Sequence, residues 1–88
     1  MRLVDLSPRW VKDADGRVVG LSFECPHCRT ERLHAAFENP PDGGPPSGSF
    51  VNHWKRTGES FETMTLSPSI DASAYGHWHG FITNGEVT

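Results

Sequence analysis

The tetrapeptide Cys25-Pro26-His27-Cys28 is the segment of this sequence best suited to chemistry. Two cysteines separated by two residues form a knuckle, in which a tight turn directs both thiolates at one metal ion. Zinc completes a tetrahedron of four ligands, and the chain contains only 2 cysteines. The spacing therefore predicts a metal site whose remaining ligands are histidines or carboxylates from another part of the chain.

His77 and His79 are the best candidates for the second pair of ligands, because only Trp78 separates them. On a β-strand, residues two apart project from the same face, so both imidazoles can reach one ion. We predict one zinc ion per chain, bound by Cys25, Cys28, His77 and His79. This set is closed and leaves no position for an activated water, so the predicted role of the zinc is structural.

The spacing of these ligands differs from that of the DNA-binding zinc finger. That motif has about 12–15 residues between its cysteine and histidine pairs, and its histidines lie three to five apart on a helix. Here the interval runs from Arg29 to Gly76, so the metal would join distant parts of the chain. Structural zinc contributes on the order of 10–16 kcal/mol in small peptides, and its removal is expected to unfold the domain.

Two enzymatic alternatives remain open at this point. In the first, one histidine is not a ligand, three protein groups hold the metal, and water occupies the fourth position of a metal-dependent enzyme. In the second, Cys-Pro-His-Cys is the active-site tetrapeptide of a thiol-disulfide oxidoreductase and stands at the start of a helix. His27 is interpreted as a surface histidine, and His34 and His53 as ordinary strand histidines, with His53 the better reserve ligand.

The elements that position the knuckle are predicted to be antiparallel β-hairpins. Residues 9–12 and 17–24 alternate as strands around an Asp-Ala-Asp-Gly turn, and the second strand carries Cys25 in line with an apolar face. Residues 29–37 fit a strand better than a short helix. Residues 38–49 contain four prolines and three glycines and are predicted to form a flexible internal loop.

The second half of the chain continues the β pattern. Residues 50–55 and 60–66 are predicted to form a strand pair, and Ser67-Pro68-Ser69-Ile70 is expected to end that ladder. Residues 77–83 are predicted to form the last long strand. Asn84-Gly85 follows it and is a strong type I′ hairpin signal, because both residues accept a positive φ. The predicted fold is therefore a small, mostly β domain stapled by a zinc knuckle.

The amino-acid composition limits the classes of function that this chain can have. The chain has 88 residues, a formal net charge of −3 and 35% hydrophobic residues, which indicates a single domain over residues 1–88 with a small apolar core. An acidic balance disfavours nucleic-acid binding. No apolar run approaches the length of a membrane span, and Asp5 interrupts the N-terminal segment before a signal-peptide core can form. The expected location is cytoplasmic.

Several blocks of the sequence resemble a family of small bacterial, phage and prophage domains of unknown function. The resemblance rests on Cys25-Pro26-His27-Cys28, Trp54, the block from Thr65 to Ile70 and the block from Gly76 to Glu86. It implies metal binding at the two cysteines and the two histidines. Some relatives lie near bacterial ubiquitin-like conjugation genes, and others carry an ammonia monooxygenase label. The expected function is that of a zinc-binding adaptor module with a protein partner.

Overall fold

Seven strands form one sheet, and each strand pairs with its neighbours in the sequence. The computed structural model describes residues 1–88. Every pairing is antiparallel except that of β3 with β4, which is parallel. The mostly β, single-domain prediction is confirmed. The strands are β1 (Arg9–Lys12), β2 (Val18–Glu24), β3 (Arg32–Phe37), β4 (His53–Thr57), β5 (Thr65–Asp71), β6 (His79–Thr83) and β7 (Glu86–Val87).

Two short 3₁₀ turns accompany the strands, at Leu3–Leu6 and at Ser73–Tyr75. The first packs against β2 and buries Leu3 and Leu6 completely. No helix in the structure is long and apolar enough to cross a bilayer. A small core between the strands and the N-terminal turn is therefore the main source of apolar burial.

The first hairpin is held by its predicted turn. The carboxylate of Asp13 accepts hydrogen bonds from the backbone N–H groups of Asp15 and Arg17, both at 2.9 Å. Gly16 has a φ of 82°, a conformation that glycine adopts without steric cost. β1 and β2 then pair as expected, with Trp10 opposite Leu21.

The segment after the knuckle is a strand, as the sequence favours. β3 pairs antiparallel with β2, with Ala35 opposite Leu21 and Leu33 opposite Phe23. Between Cys28 and β3 the chain makes only a turn. The thioredoxin-type arrangement, in which a helix begins at the cysteines, is therefore absent.

β5 extends through the segment that the sequence predicts as a break. Leu66 lies opposite Ile82, and Ile70 lies opposite Gly80. Three residues of β5, Ser67 to Ser69, therefore stand opposite a single residue of β6, Phe81. This is a bulge, which lets the strand continue although Pro68 has no N–H to donate. The prediction that the ladder ends at Ser67 is therefore wrong. Pro68 lies within the bulge, where no ladder hydrogen bond is required of it, and β5 continues to Asp71.

The core lies on one face of β5 and β6, and the opposite face is open to solvent. Leu66, Ile70 and Ile82 are at most 5% exposed and face inward. Alternate residues of β6 face outward and are exposed. The core residues are Leu3, Leu6, Leu21, Phe23, Ala35, Phe37, Met64, Leu66, Ile70, Ile82 and Val87.

Candidate functional site

Cys25 and Cys28 are presented by a tight turn at the end of β2. The N–H of Cys25 donates to the carbonyl of Glu31, and the N–H of Arg29 donates to the carbonyl of Cys25, both at 2.8 Å. Arg29 closes the turn with a φ of 62°. Cys25 is fully buried at the margin of the core and Cys28 is half-buried. Backbone hydrogen bonds thus form the tight turn that the cysteine spacing predicts.

His77 is brought to the knuckle by the packing of its neighbour Trp78. The indole of Trp78 packs edge-on against Phe23, with ring centroids 6.0 Å apart. Phe23 lies on β2 two residues before Cys25, so this contact places the start of the last strand beside the cysteines. The N–H of His77 donates to the carbonyl of Ala72 at 3.1 Å, which fixes the backbone of the loop.

Cys25, Cys28 and His77 form a compact group of potential metal ligands. One donor atom from each side chain lies within 4.8 Å of the other two. The Sγ of Cys28 lies 3.6 Å from Nδ1 of His77. A hydrogen bond from the hydroxyl of Thr30, aided by the backbone N–H groups of Thr30 and Glu31, lowers the pKa of Cys28 to about 6. The thiolate is the form that binds a metal, so this set of donors suits a soft or borderline ion.

His79, the fourth residue of the predicted ligand set, lies outside this group. β6 begins at His79, so His77 belongs to the preceding loop and the two histidines do not share a strand face. The strand predicted from residue 77 therefore begins two residues later, and ligation of the metal by His79 stays a prediction. His79 is exposed and stands directly opposite Asp71 in the β5–β6 ladder. His27 and His34 are also exposed and away from the group.

A second site lies on the open side of the sheet, in a cavity of about 260 Å³ between β4 and β5. Nε2 of His53 lies 2.8 Å from the carbonyl oxygen of Ser47, within hydrogen-bond distance. The indole N–H of Trp54 donates to the carbonyl of Ser69 at 3.3 Å and ties the bulge to β4. The lining residues are Asn52, His53, Trp54, Pro68, Ser69 and Asp71.

Asp71 connects this cavity to His79. Hydrogen bonds from the hydroxyl and the N–H of Ser73 lower the pKa of Asp71, and the charge of His79 across the strands lowers it further. The carboxylate is therefore ionised at neutral pH, and Asp71 lies opposite His79 in the ladder. Serine, histidine and aspartate together are the residue types of nucleophilic hydrolases.

This second candidate site was not predicted from the sequence. Ser67 to Ile70 were expected to end a ladder, so no functional side chains were predicted on that segment. The usable signal was the spacing of Ser69 and Asp71, which lie two apart on one strand and hence share a face. His53 was interpreted as a strand histidine and a reserve metal ligand, and the structure places it in the wall of the cavity.

No curated protein and no solved structure matches the chain. One family model does match, over residues 4–88, and its description is "Bacterial ubiquitination-like system serine protease (BubE)". The match spans nearly all of the chain, including the knuckle, the bulge of β5 and the His77–His79 segment. The chain therefore belongs to the BubE family of bacterial ubiquitination-like systems.

Proposed function

We propose that this chain is a zinc-stabilised serine protease acting on proteins of a bacterial ubiquitination-like system. The observation that carries the proposal is the outer face of β4–β6, where Ser69, His53 and Asp71 line one cavity and His79 stands opposite Asp71. The family name points to the same chemistry. A cytoplasmic location fits this role, because the knuckle thiols stay reduced there.

The metal site supports a structural rather than a catalytic ion. Cys25, Cys28 and His77 do not line the cavity, and Cys25 is fully buried. Cys28 and His77 are 49 residues apart, so an ion between them would close a long loop and restrict the unfolded chain. Two thiolates and one imidazole are ligands typical of zinc. Cys25, Cys28 and His77 would hold the zinc, which would fix the segment that leads into β6.

The decisive experiment uses the purified chain and a ubiquitin-like protein of such a system that carries a C-terminal extension. We expect cleavage, detected by mass spectrometry of the intact products. A fluorophosphonate should abolish the cleavage, because it modifies activated serines. Cleavage that resists the fluorophosphonate would contradict the serine mechanism, and no cleavage by the zinc-loaded chain would contradict the protease function.

A metal-dependent hydrolase is a second candidate, because three donor atoms converge rather than four. Such a set leaves one position for a water, which zinc activates by lowering its pKa. The metal would then lie at the reacting bond. A chelator would abolish cleavage before the chain unfolds, whereas a fluorophosphonate would leave it intact.

A protein-binding adaptor without catalysis is a third candidate, supported by exposed apolar side chains on loops beside the cavity. Val51, next to Asn52, is 95% exposed, and Tyr75, four residues after Asp71, is 84% exposed. Phe81 on β6 is 55% exposed and faces the bulge. An adaptor would bind the ubiquitin-like protein in a pull-down and leave it uncleaved.

A further inference from the structure

We propose that Ser69 is the nucleophile of this site, that His79 accepts its proton, and that Asp71 orients His79. This assignment deepens the protease function proposed above and rests on it. It also gives His79 a role that differs from the metal ligation predicted from the sequence.

Ser69 is singled out by its position. It is the only serine that lines the cavity, and it is half-buried, whereas Ser67 and Ser73 are exposed. Its carbonyl is held by the indole of Trp54, so the backbone at the nucleophile is fixed from β4. The bulge also pushes Ser69 out of the regular ladder opposite Phe81, and bulges of this kind re-aim side chains next to active sites.

His79 is chosen as the base because a carboxylate residue, Asp71, lies opposite it and can orient its imidazole. Asp71 and His79 are direct partners in the antiparallel ladder, where Cβ atoms lie about 4.5–5.5 Å apart. Ser69 precedes Asp71 by two residues, and both flank the buried Ile70, so they lie on the outward side of β5. His79 is exposed on the same side, opposite Asp71. The three residues thus lie in a row on the outer face of β5 and β6.

His53 lies on the other side of Ser69 and has a different role. Its Nε2 is already engaged by the carbonyl of Ser47, and the ring forms part of the cavity wall with Asn52 and Trp54. The cavity therefore adjoins the nucleophile on the side away from His79. We assign this cavity as the binding pocket for the side chain of the substrate residue whose carbonyl Ser69 attacks.

The reaction assigned to these groups balances without a further cofactor. Oγ of Ser69 forms a bond to the substrate carbonyl carbon, and its proton passes to His79. The carbon–nitrogen bond breaks, and the leaving amine takes that proton from His79. Water then adds to the acyl group, gives its proton to His79 and releases the acid, and Ser69 recovers the proton.

The test is covalent labelling of the zinc-loaded chain with a fluorophosphonate, followed by peptide mapping. We expect one adduct, on Ser69. Ser69→Ala should lose labelling and lower hydrolysis by about a thousandfold or more, whereas the neighbouring Ser67→Ala should keep both. His79→Gln should lose labelling but keep its zinc, and the exposed His34→Gln serves as the matched histidine control.

The outcomes separate this assignment from the proposed function. An adduct on another serine, or hydrolysis retained in Ser69→Ala, overturns Ser69 as nucleophile while the protease function stands. Labelling lost in His53→Gln but kept in His79→Gln overturns the choice of base. If the wild-type chain neither labels nor cleaves its substrate, the protease function itself fails.

Discussion

The indole of Trp78 packs edge-on against the ring of Phe23, with centroids 6.0 Å apart, and this contact links the two proposed sites. Phe23 leads into the cysteine knuckle, while Trp78 separates His77, which faces Cys28, from His79, which faces Asp71. One aromatic contact therefore lies between His77 of the candidate metal group and His79, the proposed base.

Gly80→Ala tests this contact. A Cβ at position 80 would lie 2.5 Å from a ring carbon of Trp78, so the indole must shift away from its place. We expect the free energy of unfolding to fall by about 1–3 kcal/mol, the usual cost of overpacking, and zinc affinity to fall with it. Urea denaturation and competitive zinc titration measure the two effects.

Gly48→Ala is the matched control, because nothing lies within 4 Å of a Cβ built there. Equal loss of stability in both variants would show that the Trp78 contact does not matter. Loss of stability in Gly80→Ala with unchanged zinc affinity would separate the ring packing from the metal site.

Metal content distinguishes the two histidines. His77→Gln removes one of the three converging donors, so we expect it to purify with less than one zinc per chain and to unfold without cooperativity. His79→Gln removes a residue outside that group and should retain one zinc and a cooperative transition. Elemental analysis and thermal melts provide the measurements. Loss of zinc in His79→Gln would instead restore the four-ligand set predicted from the sequence.

Much of the fold could be predicted because it depends on local patterns. The turn at Asp13–Gly16, the strand after Cys28 and the Asn84-Gly85 hairpin all follow from periodicity and from residues that tolerate special backbone angles. Cys25 and Cys28 were also identifiable, since a spacing of two residues is itself the geometry of a knuckle.

The errors arose where a tertiary contact overrides a local pattern. The alternation of His77 and His79 indicates one strand face, but the packing of Trp78 on Phe23 delays the strand until His79. Pro68 indicates a break, but a bulge absorbs it. The outer site combines three strands that are distant in the sequence, so no local motif encodes it.

The clamp between Arg17 and Asp42 makes a prediction about pH. Nε and an Nη atom of Arg17 contact the two carboxylate oxygens of Asp42 at 2.6 and 3.0 Å, and the same Nη donates to the carbonyl of Pro45. The hydrogen bonds from Arg17 hold the pKa of Asp42 well below its usual range. A depressed carboxyl pKa stabilises the fold above the ordinary pKa, and this contribution is lost as the pH falls through the folded value.

Arg17→Gln should therefore raise the pKa of Asp42 towards its ordinary value and release the loop of residues 38–49. NMR titration of the Asp42 carboxyl and amide hydrogen exchange in the loop measure the two changes. Arg9→Gln, an exposed arginine on β1, is the control and should alter neither. An unchanged pKa of Asp42 in Arg17→Gln would show that the clamp does not form in solution.

The hairpin after β6 makes the final prediction, because it sets the register that places His79 opposite Asp71. Gly85 has a φ of 79°, its N–H donates to the carbonyl of Met64 at 2.8 Å, and a Cβ there would overlap the backbone carbonyl of Glu62. Gly85→Ala must therefore strain the turn and displace the 59–64 segment. We expect a loss of about 1–3 kcal/mol in the free energy of unfolding.

Asn84→Gly provides the comparison, since Asn84 has a φ of 48° that glycine adopts freely. It should change stability by less than about 1 kcal/mol and leave fluorophosphonate labelling intact. Urea denaturation and the labelling rate are measured for both variants. If Gly85→Ala folds with wild-type stability and labels at the wild-type rate, the turn does not control the β5–β6 register, and the row of Ser69, Asp71 and His79 must be held by the bulge and by the tie between Trp54 and Ser69 instead.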